Sequence, residues 1–427
     1  MAVPERPPNI LFIMPDQWRG MDLGCAGNEQ VRTPNLDRLA VEGVQLKAVA
    51  NCPVCTPARS ILLTGRYAHA THTGVNDVPL PQGEETIATI LAARGYYTGF
   101  VGKWHLQGGR REPGFVPPGP RRFGFEYWAA NICSHEYFHQ QYFRDNPTPI
   151  PISGYDATTW TNLGLEFLEK AETKRKPYCL YLQYPSPHNP YLPPPGFEGM
   201  YDPAKIQLRK NWQKGAKQLG SAKDIAGYYA AIACLDREIG RILAKVDNNT
   251  IIVFTSDHGD MLGSHGLFLK RKPWEESVRV PGIVRWPAGM KSAKTTEAPF
   301  SHVDVVPTLL SLCGFKVPRS MHGFDYADFL RGKSERTPNY AHLMMYTSTE
   351  AGEFAPWRGL RSKEYKYAEF HDKPWLLYDL EKDPYEMNNL VDDPRQQNLM
   401  RMLHGAIKQE MERTGDRWDE QHDAPLA

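Results

Sequence analysis

Two apolar runs that lie far apart in the chain end in the same way. Residues 9–14 lead into Asp16, and residues 250–255 lead into Asp257. Unbroken apolar runs of this length are typical of strands buried on both faces of a parallel sheet. Because ligands bind outside the carboxyl ends of strands in open α/β sheets, the two runs predict a single site that contains both aspartates.

Helical patterns separate the two runs. Residues 156–174 and 224–246 carry apolar side chains at helical spacing, and residues 86–94 predict a helix that ends at Gly95. Residues 97–101 then predict a further strand. Alternation of strands and helices favours an α/β fold in which a large, mostly parallel sheet is sandwiched between helices.

The character of the chain changes after about residue 335. Short alternating segments at 357–361, 365–370 and 375–379 predict antiparallel strands, and residues 394–413 predict an amphipathic helix. The sequence therefore predicts a catalytic α/β domain over residues 1–335 and a small antiparallel α+β subdomain over residues 336–427.

The charge balance argues against a general affinity for polyanions. Lys plus Arg number 50 and Asp plus Glu number 49, so a net charge of +1 provides no field that attracts nucleic acid or an anionic membrane. No apolar stretch approaches the ~20 residues that span a bilayer. We expect a protein without a membrane span, either cytoplasmic or exported after loss of a signal segment, and seven cysteines that are mostly free thiols.

The segment Cys55-Thr56-Pro57-Ala58-Arg59 precedes an apolar run. Pro57 and that run predict a helix with residue 55 at its N-terminus, where free N–H groups and the helix dipole favour an anion such as sulfate. Two other interpretations of the cysteine are open: a small buried residue, or a redox or metal pair formed with Cys52.

This segment, continued by Leu63-Thr64-Gly65-Arg66, resembles the Cys-x-Pro-x-Arg signature of type I sulfatases in the alkaline phosphatase superfamily. The resemblance extends along most of the chain, to the segment at 377–384. It implies an alkaline phosphatase-like fold and a sulfuric ester hydrolase. It also implies that a maturation enzyme oxidises Cys55 to formylglycine.

The resemblance implies a metal site as well. Its ligands would be Asp16, Gln17, residue 55, Asp257 and His258. The ion would be one divalent cation, which in this family is usually Ca²⁺, with Mn²⁺ or Mg²⁺ as alternatives. Sulfatases usually have Asp and Asn where this chain has Gln17 and His258. At both positions this chain is similar to phosphonate monoester hydrolases, so the identity of the metal and the type of ester stay open.

Catalytic positions follow from the same resemblance. Gly102-Lys103-Trp104-His105 is similar to the family element that contacts sulfate and formylglycine, and His188 is similar to the histidine beside the leaving group. Lys270 has the family spacing, with Lys272 as a substitute. Arg59 and Lys103 would neutralise sulfate charge. His188 and Lys270 would assist the leaving oxygen, and His105 would act as the base that resolves a sulfoenzyme intermediate.

Clues to the substrate are weaker. Arg111, with Arg110, and His135 could bind a sulfated sugar, and so could Arg121 and Arg122 with the aromatic cluster at 123–128. Packing aromatics and solvated loops explain the same residues equally well. A carbohydrate sulfatase is the leading hypothesis. The alternatives are a phosphonate monoester or phosphodiester hydrolase on the same site, and a non-catalytic sulfoglycan-binding protein.

Overall fold

The computed structural model describes residues 6–214, 220–290, 295–347, 355–371 and 373–418. The strands among them are β1 Asn9–Pro15, β2 Val44–Val49, β3 Tyr97–Lys103, β4 Tyr127–Asn131, β5 Gln141–Tyr142, β6 Ile150–Pro151, β7 Tyr178–Tyr184, β8 Thr250–Phe254, β9 Arg279–Val280, β10 Ile283–Arg285, β11 Thr295–Ser301, β12 Ala341–Met345, β13 Trp357–Arg361, β14 Tyr365–Phe370 and β15 Lys373–Asp379. The α-helices are α1 Pro34–Glu42, α2 Cys55–Thr64, α3 Ile87–Ala93, α4 Asp156–Lys174, α5 Ala222–Leu243, α6 Glu275–Val278, α7 His302–Leu312, α8 Ala327–Leu330 and α9 Gln397–Thr414.

A nine-stranded sheet forms the centre of the molecule, in the order β11, β2, β10, β8, β1, β7, β3, β4, with β9 paired to β2. Strand β1 is parallel to both β7 and β8, and β3 is parallel to both β7 and β4. Strands β9 and β10 run antiparallel to their neighbours. The mostly parallel α/β sheet expected from the sequence is confirmed.

Helices cover both faces of this sheet. Along β1, Phe12 packs into one apolar cluster with residues of α2, α3 and α7, while the next residue, Ile13, packs into another with residues of α1, α4 and α5. Successive side chains of a strand point to opposite faces, so a strand that is apolar throughout must be covered on both. This explains why the run at 9–14 shows no polar alternation.

The antiparallel sheet β12-β13-β14-β15 follows the large sheet in the chain. One face packs on α9 through Leu360, Tyr367 and Ile407, and the other shares an apolar cluster with α2 and β2. The buried ammonium of Lys366 lies 2.8 Å from a carboxylate oxygen of Glu275 at the start of α6. The two sheets therefore share a core, and the division at residue 335 stays a prediction.

Element boundaries differ from the expected ones for local reasons. Helix α5 begins before residue 224, because Ser221 and Asp224 form a reciprocal capping box at its N-terminus. Helix α4 has the expected bounds, and the carboxylate of its first residue, Asp156, accepts hydrogen bonds from Gln140 and Trp160. Residues 394–396 form a 3₁₀ turn, so the last α-helix starts only at Gln397.

Strands β3 and β7 approach closely at Gly102, the residue before Lys103. Gly102 has φ 109°, and a Cβ there would lie 1.8 Å from the carbonyl oxygen of Gln183. Only glycine tolerates both this backbone angle and this contact. The close approach fixes the position of Lys103 relative to β7.

Gly102→Ala is therefore expected to lower the free energy of unfolding by about 3 kcal/mol or more, because the backbone of one strand must shift. Urea unfolding measures this effect. Gly405→Ala is the matched control: Gly405 lies in α9 with open space around it, and the change should stabilise by up to ~1 kcal/mol. Equal stability of the two variants would contradict the close packing of β3 and β7.

Candidate active site

The carboxyl ends of neighbouring strands bring the predicted polar residues together. Asp16 directly follows β1, Lys103 is the last residue of β3, and Asp257 lies in the turn after β8. All three side chains are fully buried. Because these strands are parallel, their polar ends share one edge of the sheet, as the two apolar runs predicted.

Cys55 is the first residue of α2, as the sequence predicted. Its Sγ lies 3.3 Å from Nε2 of His258. The next backbone N–H, that of Thr56, donates to Oδ1 of Asn76 at 2.9 Å, so a loop side chain caps the helix start. Cys52 forms no disulfide and packs in a separate apolar cluster, so it is not the partner of Cys55.

Arg59 connects helix α2 to both aspartates. Its Nη2 lies 3.0 Å from Oδ2 of Asp16 and 2.8 Å from Oδ2 of Asp257. Its Nη1 donates to the backbone carbonyl of Lys103 and to the side chain of Gln183. One turn of helix separates Arg59 from Cys55, so this guanidinium aligns the cysteine with the strand ends.

The residues present fit a divalent cation. Ligand atoms of Asp16, Cys55, Asp257 and His258 all lie within 4.8 Å of one another. The Nδ1 of His258 lies 2.9 Å from the carbonyl oxygen of Gly259, so Nδ1 carries the proton and the Nε2 lone pair faces the group. The buried Oδ1 of Asp16 has no hydrogen-bond partner in the described chain and lies 3.6 Å from that Nε2. Two ligand atoms that each lie about 2.2 Å from one ion are about 3 to 4 Å apart, so the distance between Asp16 and His258 suits a shared ion.

Gln17 adopts a left-handed backbone conformation with φ 67° at the end of β1. Its Oε1 accepts a hydrogen bond from Lys270 at 3.0 Å, and its Nε2 donates to Asp260 at 2.6 Å. The amide thus links the turn that carries Asp16 to the Lys270 loop. Its role as a metal ligand stays a prediction.

Two lysines and two histidines lie together beside Cys55. The rings of His135 and His188 stack with centroids 3.7 Å apart. Lys103 Nζ lies 3.0 Å from His135 Nε2, and Lys270 Nζ lies 2.6 Å from His188 Nε2. Burial lowers the pKa of both rings, and the neighbouring ammonium groups lower it further, so both rings are neutral acceptors. The two ammonium groups leave this part of the site positive.

Lys272 does not join this group: its Nζ donates to the carbonyl of Phe268. Of the two lysines that the sequence offered for this position, Lys270 therefore lies beside His188 and Lys272 does not.

The thiol of Cys55 itself is strongly perturbed. Burial and the Asp16 carboxylate raise its pKa, but Lys103, Lys270 and His258 lower it by more, so the pKa lies well below its usual range. Burial raises the pKa of Asp16, but neighbouring cations, among them Lys103 and Arg59, hold it well below its usual value. The site therefore stabilises negative charge at residue 55.

His105 lies two residues after the end of β3, with φ 54°. Its Nε2 lies 2.8 Å from Oδ1 of Asp77, whose Oδ2 lies 2.8 Å from Nε of Arg111. Burial disfavours the charged ring, but Cys133, the hydrogen bond to Asp77 and the contact with Cys55 raise the pKa of His105 to about 10. Arg111 is thus paired with a protein carboxylate at the entrance of the site.

The aromatic cluster at 123–128 and the neighbouring Arg122 belong to the core. Phe123, Phe125 and Trp128 are buried in the cluster that covers one face of the sheet. Arg122 stacks on Trp128 and bonds to the backbone carbonyls of its own loops. The packing explanation of these residues is correct, and they offer no surface to a sugar.

Several residues of the site carried no signal in the sequence. They are Asn76, Asp77, Gln183 and Asp260, which bond to Thr56, His105, Arg59 and Gln17 respectively. Asp260 follows the Asp257-His258 motif closely, and this proximity was the only available hint. Asn76 and Asp77 lie in a loop without periodicity.

The chain has the fold of the alkaline phosphatase superfamily and is 29% identical, over 92% of its length and 93% of the relative's, to PehA of Trinickia caryophylli, a multifunctional protein of that superfamily. The solved structure of YidJ from Bacteroides fragilis matches with a TM-score of 0.88 and 29% identity, covering 98% of each chain. A phosphonate monoester hydrolase from Silicibacter pomeroyi matches with a TM-score of 0.80 and 23% identity, covering 96% of each chain.

The particular family follows from the sequence comparisons. The sulfatase family model matches residues 8–315, and a model for the C-terminal part of N-sulphoglucosamine sulphohydrolase matches residues 263–413. An ulvan-active sulfatase of Formosa agariphila is 36% identical over 96% of this chain and 82% of its own length. An N-acetylglucosamine-6-O-sulfatase of Bacteroides thetaiotaomicron is 26% identical over 94% and 86%. The chain belongs to the sulfatase family and is a sulfatase.

No α-helix among the described residues combines the length and the apolar character that crossing a membrane requires.

The position of Arg59 predicts a large effect on stability. Arg59→Ala leaves two fully buried carboxylates without their guanidinium, and breaking such a buried pair costs about 3 to 5 kcal/mol. Urea unfolding in a chelating buffer measures this loss. Arg111→Ala, which breaks a partly exposed ion pair, should cost less than about 1 kcal/mol. Similar losses for both variants would contradict the bridging role of Arg59.

Proposed function

We propose that this sulfatase hydrolyses sulfate esters of carbohydrates, with a formylglycine made from Cys55 and one divalent cation. The observation that supports this most strongly is the convergence of Cys55 with Asp16, Asp257 and His258, whose ligand atoms lie within 4.8 Å of one another. The helix N-terminus and the neighbouring lysines add positive potential for the tetrahedral anion.

The proposed cofactors complete the site that the residues outline. Asp16, Asp257, His258 and residue 55 would hold the cation, with Gln17 as a further ligand, and Ca²⁺ or Mn²⁺ suits their oxygen and nitrogen atoms. Formylglycine, once bound to the cation, supplies a hydrated aldehyde whose hydroxyl is the nucleophile toward sulfur. A formylglycine-generating enzyme is therefore the proposed maturation partner.

The chain itself binds and orients the ester. Lys103 ends β3 with its ammonium between Asp16 and His135, where it can neutralise an oxygen of the sulfate group. Both terminal nitrogens of Arg59 are engaged, by the two aspartates, Gln183 and a carbonyl, so its task is to hold the carboxylates in place. His135 lies between Lys103 and His188, where it can contact the bound ester.

Proton transfer to the departing alcohol falls to His188 and Lys270. The Nδ1 of His188 lies 2.8 Å from the carbonyl oxygen of Asn189, so Nδ1 carries the hydrogen and Nε2 accepts from the Lys270 ammonium. The proton for the leaving oxygen therefore starts on Lys270 and can pass through His188. His105, whose ring interacts with residue 55, is placed to exchange a proton there, and conversion of the Cys55 thiol removes one of the groups that raise the pKa of the ring.

The proposed substrate class rests on the relatives. One relative is named for a 6-O-sulfated N-acetylglucosamine and covers most of this chain. The positive groups around the site, Lys103, Lys270 and Arg59, suit an anionic ester but do not distinguish sugar from aryl alcohol. Gln17 and His258 favour one alternative, a phosphonate monoester hydrolase, whose fold this chain also matches.

The test compares three substrate types on matured protein. Mass spectrometry of the Cys55 peptide should show a species about 18 Da lighter than the thiol. We expect sulfate release from a defined sulfated saccharide, with aryl sulfate turned over and aryl phosphonate turned over more slowly. Preference for the phosphonate would establish the alternative. Turnover by protein whose residue 55 is entirely thiol would overturn the proposed nucleophile.

Two variants test the site within the same assay. Cys55→Ala and Asp257→Ala should abolish turnover while circular dichroism shows a retained fold, because each removes a proposed ligand and the first also removes the nucleophile. Cys52→Ala is the matched control, since this neighbouring buried thiol lies outside the ligand group. Near-normal activity of either site variant would refute the assignment.

The role of His188 predicts a dependence on the leaving group. His188→Ala should lower kcat/KM by about 10²-fold or more for sugar sulfates, because their alkoxide leaving group needs a proton. Activated aryl sulfates should lose far less. His139→Ala, at an exposed histidine of a nearby loop, is the control. Equal losses on both substrate types would remove His188 from proton transfer.

A further inference from the structure

Asp77 lies in the loop between α2 and α3, with a left-handed φ of 69°. Its Oδ1 lies 2.8 Å from Nε2 of His105, and its Oδ2 lies 2.8 Å from Nε of Arg111. A strained non-glycine residue that is held by two side chains marks a position fixed by its surroundings. The carboxylate is thus presented to the histidine in one orientation.

Thr56 connects this loop to residue 55. The Oγ1 of Thr56 donates to the backbone carbonyl of His105 at 3.0 Å and accepts from the backbone N–H of Asp77 at 3.3 Å. Its own N–H donates to Asn76. One side chain, next to the cysteine in sequence, therefore sets the distances between helix α2, the Asp77 loop and the end of β3.

The two ring nitrogens of His105 have different environments. Nε2 bonds to Asp77, whereas the buried Nδ1 has no hydrogen-bond partner in the described part of the chain. The ring also interacts with the thiols of Cys55 and Cys133. A carboxylate accepts a hydrogen bond and cannot donate one, so Nε2 keeps its hydrogen and Nδ1 is the nitrogen left to exchange a proton.

We propose that Asp77 is the positioning residue of His105, fixing its ring so that Nδ1 faces residue 55, with Arg111 acting on the reaction through Asp77. The proposal rests on the proposed function, in which His105 removes a proton at residue 55. It gives Arg111 a role other than the substrate contact expected from the sequence.

Kinetics on matured protein test the first part. Asp77→Asn is expected to lower kcat by about 10²-fold with KM changed less than threefold, because the amide holds the ring poorly and substrate contacts are untouched. Mass spectrometry must show equal conversion of Cys55 in every variant. Asp145→Asn is the matched control, since Asp145 also pairs with an arginine but lies at the surface.

A double-variant cycle separates positioning from a general structural effect. If Asp77 acts through His105, then His105→Ala combined with Asp77→Asn should be no slower than His105→Ala alone. Arg111→Ala should reduce kcat less than tenfold, leave KM unchanged, and have no effect in the Asp77→Asn background. Multiplicative losses in either pair, or an Arg111→Ala effect confined to KM, would overturn the proposal.

A spectroscopic readout needs no turnover. In protein labelled with ¹⁵N-histidine, Nε2 of His105 should give the shift of a protonated nitrogen, assigned by its loss in His105→Gln. In Asp77→Ala the shift should move toward the average of the two tautomers. An unprotonated Nε2 in the unsubstituted protein refutes the positioning role even if sulfatase activity is normal. Absent turnover with the expected Nε2 shift would instead count against the proposed function alone.

Discussion

The arrangement of the site depends on one buried charge cluster, in which Arg59 lies between Asp16 and Asp257. Without a cationic partner, two carboxylates that are shielded from solvent would be too costly to keep ionised. The guanidinium satisfies one oxygen of each and reaches them from helix α2, while the carboxylates come from two strands. The cluster is thus the point at which the sheet edge and the cysteine helix become a single rigid unit.

This cluster also determines what remains available to a ligand. Arg59 and Lys103 occupy Oδ2 of Asp16, so its Oδ1 is the oxygen that faces His258 and Cys55. The Oδ1 of Asp257 is oriented by the backbone N–H groups of Gln17 and His258. The cations Arg59 and Lys103 therefore lie on one side of the carboxylates, and the free lone pairs of the carboxylate oxygens lie on the other. The first side suits an anion and the second suits a cation. Such a division suits an enzyme that holds a metal ion and an anionic ester side by side.

The sequence predicted those parts of the structure that local patterns encode. The apolar runs at 9–14 and 250–255 revealed strands buried on both faces, and Pro57 with the run after it revealed a helix beginning at residue 55. Contacts made by loops were not accessible in this way. Asp77 reaches His105 only because Thr56 and Arg111 hold the loop, and no periodicity marks such a position. Arg122 is the opposite case. Its place beside aromatic residues in the sequence suggested a surface that binds a ligand, but its side chain donates to backbone carbonyls within the core.

Three histidines of the site differ in the partner of their second nitrogen, and this difference assigns their chemistry. His258 and His188 each donate Nδ1–H to a backbone carbonyl, Gly259 and Asn189 respectively, which leaves Nε2 as the nitrogen that faces the site. A lone pair suits a metal ligand at His258 and a proton relay from Lys270 at His188. His105 alone is backed by a carboxylate, which stabilises the imidazolium as well as the neutral ring. Of these three histidines, His105 is therefore the one whose partner stabilises a second proton on the ring.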